Sequence, residues 1–60
     1  MNNLFNTRRR YTLTYHYLGD SSKIYTAIQF CMTLIDAINL TMSDVNWRPI
    51  LFDSYIEENN

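Results

Sequence analysis

The chain predicts a small α+β domain of order β-β-α-β, in which a three-stranded, mainly antiparallel sheet carries one short helix on one face. Three observations predict it. Residues 10 to 18 alternate strictly between apolar and polar, the segment Gly19-Asp20-Ser21-Ser22 reads as a turn, and Thr33 with Asp36 forms a T-x-x-D capping box.

In the first segment Tyr11, Leu13, Tyr15 and Tyr17 fall on one face and Arg10, Thr12, Thr14 and His16 on the other. Thr and Tyr are strand formers, so propensity agrees with period. Gly19 permits positive φ, and Asp20 and the serines bond nearby backbone, which makes the turn. Residues 23 to 42 admit two readings. One is a long helix over 22–42 flanked by two strands, with Ile24, Ile28, Cys31, Ile35, Ile38 and Met42 as its apolar stripe. The other is a strand over Lys23 to Phe30 followed by a short helix. The hairpin-like turn and the capping box favour the split. Ser43 to Asn46 then reads as a loop, and Trp47 to Ile56 as a strand that lies at an edge or begins after Pro49, which has no N–H.

The expected core is Leu13, Tyr15, Ile24, Ile28, Phe30, Leu34, Ile38, Ile50 and Phe52. One helix covers one face of a sheet. The other face is expected to show Thr12, Thr14, His16, Tyr25, Leu51 and Tyr55. The boundaries that follow are a flexible basic leader over 1–9, a single domain over 10–56 and an acidic flexible tail over 57–60.

Sixty residues allow one domain, and a chain this short buries only about 60% of its unfolded surface. Small domains compensate with disulfides, a metal or a partner. A single cysteine, Cys31, precludes an internal disulfide, and one His with one Cys gives no zinc spacing. Association with a protein, a second copy included, is the remaining source of burial. The composition is that of a folded chain, 47% hydrophobic with one Gly and one Pro. A lone cysteine, and polar Asn2 and Asn3 where a signal segment would be apolar, point to the cytoplasm. Residues 24 to 42 approach membrane-spanning length, but Asp36 alone costs roughly 2.5–3.5 kcal/mol at a helix centre, and Gln29 and Asn39 add to it. No membrane is expected. The sequon Asn39-Leu40-Thr41 lies inside a helical pattern and reads as chance.

A net charge of −1 hides an asymmetry. Arg8, Arg9, Arg10 and Lys23 stand against Asp20 in the first 23 residues; Arg48 stands against Asp36, Asp44, Asp53, Glu57 and Glu58 in the rest. Such a pattern suits an oppositely charged partner or head-to-tail pairing. Catalytic equipment is missing from the sequence: Cys31 and His16 fall on different elements, Glu57 and Glu58 are adjacent in a tail, and one glycine cannot build a phosphate loop. No enzyme, cofactor or metal is expected.

Two binding hypotheses remain. The first is a small non-catalytic protein-binding module, with Trp47, Tyr25, Tyr55 and His16 as contact residues and Arg8, Arg9 and Arg10 or the acidic tail steering the encounter. Trp47 has a second role open to it, as a cap on the end of the core. The alternative is a small nucleic-acid-binding accessory protein that sets the three arginines on phosphates. In size, Asn-rich ends and lack of catalytic equipment the chain resembles the accessory proteins of phages and mobile elements. That resemblance implies binding and inhibition of a host protein.

Overall fold

A computed structural model describes residues 8–59; the first seven positions of the expected leader, and Asn60, lie outside the described residues. The order is β1 (Arg9–Tyr17), β2 (Asp20–Cys31), α1 (Leu34–Asp44) and β3 (Ile50–Asn59). The sheet runs β2-β1-β3, with β1 central and antiparallel to both neighbours. This is the β-β-α-β domain expected from the sequence, and the split of residues 23–42 into strand and helix holds.

Local chemistry sets the element ends. Gly19 has φ +88, and it is the second central residue of a two-residue turn closed by Tyr17 and Asp20. The expected turn residues Asp20 to Ser22 therefore belong to β2 instead. Thr33 is the N-cap of α1, extended at φ −136 and ψ 160, and its hydroxyl accepts from the Asp36 N–H at 3.1 Å. At the other end Trp47 N–H donates to the Met42 carbonyl at 2.8 Å and Asn46 N–H to the Ser43 carbonyl at 3.0 Å, with Asn46 left-handed. That is a Schellman closure with Asn in the usual glycine place. It carries the helix through Ser43 and Asp44, two residues into the expected loop. As expected, β3 begins after Pro49. It continues past the expected boundary at 56, so Glu57 and Glu58 are strand residues opposite Tyr11 and Arg10, not a loose tail.

The core sits between β1, β2 and the helix: Tyr11, Leu13, Cys31 and Ala37 are buried, with Leu34, Ile38 and Phe52 packed against them. Ala37 and Thr41, both without exposed surface, let the helix backbone approach the sheet closely. Thr41 is satisfied where it is buried. Its hydroxyl donates to the Ala37 carbonyl at 2.9 Å and accepts from Gln29 Nε2 at 3.2 Å, and the same Gln29 amide donates to Asp44 Oδ2 at 3.0 Å. Beside this core Tyr15 stacks on Tyr25 at 5.6 Å and meets Tyr17 and Phe52 edge-on.

Two irregularities in the ladders reverse part of the expected inside and outside. Leu18 is not left-handed, and a two-residue turn of that kind splays its strands. The β1–β2 register shifts between Tyr15 and Tyr17. Beyond the shift Tyr15 pairs with Tyr25, Leu13 with Ala27 and Tyr11 with Gln29. A slip by an odd number of residues exchanges the faces of a strand. Ile24, Ile28 and Phe30, expected in the core, are 50–56% exposed, while Tyr25, Ala27 and Gln29 turn toward the helix. A second irregularity between Thr14 and Tyr15 does the same to β3. It puts Tyr55 opposite Leu13 on the helix side and Ile56 opposite Thr12 on the open side. Tyr25 and Tyr55 are thus not on the open face, contrary to expectation.

The result is a plate rather than a sphere. Its extents are 49 × 19 × 12 Å and its radius of gyration is 13.0 Å, against roughly 10 Å for a compact chain of this length.

A candidate protein-binding face

The side of the sheet away from the helix is built in rows that cross all three strands. Phe30, Arg10 and Glu58 form one row; Ile28, Thr12 and Ile56 the next; Thr26, Thr14 and Ser54 the third. His16 then stands opposite Leu51. The outer strands therefore bring Phe30, Ile28, Ile56 and Leu51 together with Glu58, Thr26 and Ser54, and the central strand brings the hydroxyls of Thr12 and Thr14 between Arg10 and His16. Phe30, Ile28, Ile56 and Leu51 are each about half exposed or more.

Arg10, Glu58, Thr14, Ser54 and His16 in these rows already have partners within the chain. Arg10 binds the Glu58 carboxylate through Nε at 2.9 Å and again through Nη2. Thr14 Oγ1 and Ser54 Oγ lie 2.7 Å apart. His16 Nδ1 is 3.0 Å from both carboxylate oxygens of Asp53, the residue that the β3 irregularity leaves beside Ser54. A surface whose polar atoms are satisfied internally loses little when water is removed from it, and its apolar atoms gain.

The residues singled out from the sequence are divided by the fold. Arg10 and His16 lie on the open face. Arg9, opposite Cys31 and Asn59, is on the helix side; its Nε is 2.9 Å from a Glu57 oxygen and its Nη1 donates to the Met32 carbonyl. Arg8 precedes β1 and is exposed. Tyr25 lies on the helix side under Lys23 and against Tyr15 and Tyr17. Trp47 does not cap the core. It is 62% exposed in the α1–β3 loop, left-handed at φ 57, while its neighbour Arg48 covers the Tyr17 ring at 5.3 Å. The residues that sequence reasoning missed are Ile28, Phe30 and Ile56. Their alternation was visible, but which way it pointed depended on the two irregularities.

The helix side offers a smaller feature. The helix leans on β2 and leaves a notch of about 180 Å³ between Leu34, Ile38, Leu13, Phe52 and Tyr55. That is below the roughly 300–1,000 Å³ of small-molecule sites. Cys31 is buried, its thiol is pushed up above its ordinary value by burial and by the nearby Asp36 charge, and its Sγ donates to the Thr33 carbonyl at 3.5 Å. It is held as a thiol. Among the described residues no three His, Cys, Asp or Glu side chains are grouped to hold a metal, and no helix is long and apolar enough to cross a membrane.

No family model, curated protein or solved structure matches this chain.

Proposed function

We propose that this chain is a non-catalytic protein-binding module of the cytoplasm whose contact surface is the open face of its sheet. One observation carries the reading: Ile28, Phe30 and Ile56 are exposed in adjacent rows whose charged groups, Arg10 and Glu58, are already paired. Apolar patches of this kind on small proteins mark interaction sites. The partner is a protein, either a host protein that the module inhibits by occupying its surface, as an accessory protein of a mobile element does, or the module itself. Nucleic acid is the weaker reading because Arg9 and Arg10 are matched by Glu57 and Glu58, which would also face any phosphate they approached.

A photo-reactive phenylalanine analogue placed at Ile28, and separately at Ile35 on the outer side of the helix, tests it. Adducts with protein should form from position 28 and not from 35. Adducts from 35 alone, or adducts from 28 that disappear with nuclease, would refute the proposal.

A further inference from the structure

We infer that the partner of the open face is a second copy of this chain, packed face to face about a two-fold axis that lies between the two sheets and passes over β1. The inference rests on the reading of that face as a docking surface and names what docks there.

Symmetry supports it first. An isologous interface requires one surface to complement itself. Here apolar side chains flank a central row of hydroxyls on both sides, Ile28 and Phe30 on β2 and Ile56 and Leu51 on β3. With the two-fold axis across β1 at Thr12, β1 comes to lie over its own copy and each outer strand over its own copy. Ile28 of one copy then meets Ile28 of the other, Ile56 meets Ile56 and Thr12 meets Thr12, while Arg10 and Phe30 lie over the copy's hydroxyl row at Thr14 and Thr26. Two antiparallel sheets pack in this way about 10 Å apart, within about 30° of alignment.

Charge supports it next. The ionisable groups in these rows are Arg10 with Glu58 and His16 with Asp53, each paired within the chain. A strongly charged partner would find no unmatched charge to recognise, and a second copy would bring no like-charge clash. Finally, the chain alone is short of burial. Among the described residues six hydrophobic side chains are buried and eleven large ones are exposed. A deficit that is always present is met most simply by a partner that is always present.

Sedimentation equilibrium from micromolar to near-millimolar chain tests the inference. The expected mass is twice that of the 7.2 kDa chain. The double substitution Ile28→Lys, Ile56→Lys should weaken the dimer at least roughly a hundredfold, about tenfold for each substituted position. Ile35→Lys, on the outer side of the helix, should leave the mass unchanged. Should the double variant unfold, the wild-type chain still decides: its melting temperature must rise with chain concentration, and the photo-adduct from position 28 must join two copies through residues of the open face. A single-chain mass at every concentration, or a dimer indifferent to lysine at 28 and 56, would overturn the inference. If the chain is monomeric and position 28 joins a different protein, the second copy is excluded while the docking face stands. If it is monomeric and position 28 joins nothing, both readings fall.

Discussion

Among the described residues Thr41 is the one buried polar side chain, and replacing its hydroxyl with a methyl group measures how the helix is held on the sheet. Thr41→Val keeps the side-chain shape and deletes two bonds, to the Ala37 carbonyl at 2.9 Å and from Gln29 Nε2 at 3.2 Å. The Ala37 carbonyl keeps its helical partner, so its loss is small. Gln29 keeps Asp44 Oδ2 at 3.0 Å but is left with one amide proton facing an apolar contact. One net hydrogen bond and a partly buried donor without its acceptor cost about 1–2 kcal/mol. A domain of this size has roughly 3–9 kcal/mol in all, so the fraction lost is large. Urea unfolding at a fixed chain concentration reads it. With a slope of about 1 kcal/mol per molar, the midpoint should fall by about 1–2 M at unchanged slope. Adding Gln29→Leu should recover more than half of the loss, because apolar groups of similar shape then replace both partners. A Thr41→Val midpoint within about 0.2 M of wild type would refute the claim that this bond docks the helix.

Three further outcomes follow from the same geometry. Thr33→Ala removes the N-cap acceptor for Asp36 N–H and should cost about 1 kcal/mol, with Thr33→Asp restoring it; equal stability of the alanine and aspartate variants would show that the cap does not hold the helix. Burial, helped by the nearby Tyr17, Tyr25 and Asp44, raises Tyr15 above its ordinary 10.0, and burial raises Cys31 above 9.0. Stability from both groups is complete below those ordinary values and is lost as pH rises through the higher folded-state values. The melting temperature should therefore fall above about pH 9, and above about pH 10 fall less in Tyr15→Phe; parallel profiles would remove Tyr15 as the cause. Trp47, the single tryptophan, is mostly exposed, so its emission should resemble that of the free amino acid and be quenched by iodide; a shielded, blue-shifted emission would show it covered.

What was legible in the sequence was local. Alternation from Arg10 to Tyr17, the Thr33 cap and the break at Pro49 all act within a few residues of where they are written, and each appears where expected. The facing of β2 and β3 was not local. It depends on how many residues each strand spends at the irregularities beside Tyr15, and no residue there announces the number. For the candidate site this mattered more than for the fold. His16 and Arg10 were placed on the open face correctly because β1 is continuous between them. Tyr25 and Tyr55 were misplaced, and Ile28, Phe30 and Ile56 missed, because each lies on the far side of an irregularity from the turn or proline that anchored the reading.

The register seen is nevertheless the one that agrees with the helix. Had the ladder continued unbroken from Tyr17 and Asp20, Leu13 would stand opposite Ile24 and Tyr11 opposite Thr26, with Ile28 also turned inward. Branched side chains beneath α1 would hold the helix off the sheet, although Ala37 and Thr41 are cut for close approach. Thr41 would then be buried with no amide to donate to it. With the slip, Ala27 and Gln29 come to the helix side, one small and one the matching donor. Satisfying the helix in this way turns Ile28 and Phe30 outward, and each forgoes up to about 1.5–3 kcal/mol of burial. A 60-residue domain does not forgo that easily, and the partner proposed for the open face would recover it. The exposed rows and the buried threonine are therefore two consequences of one choice of register.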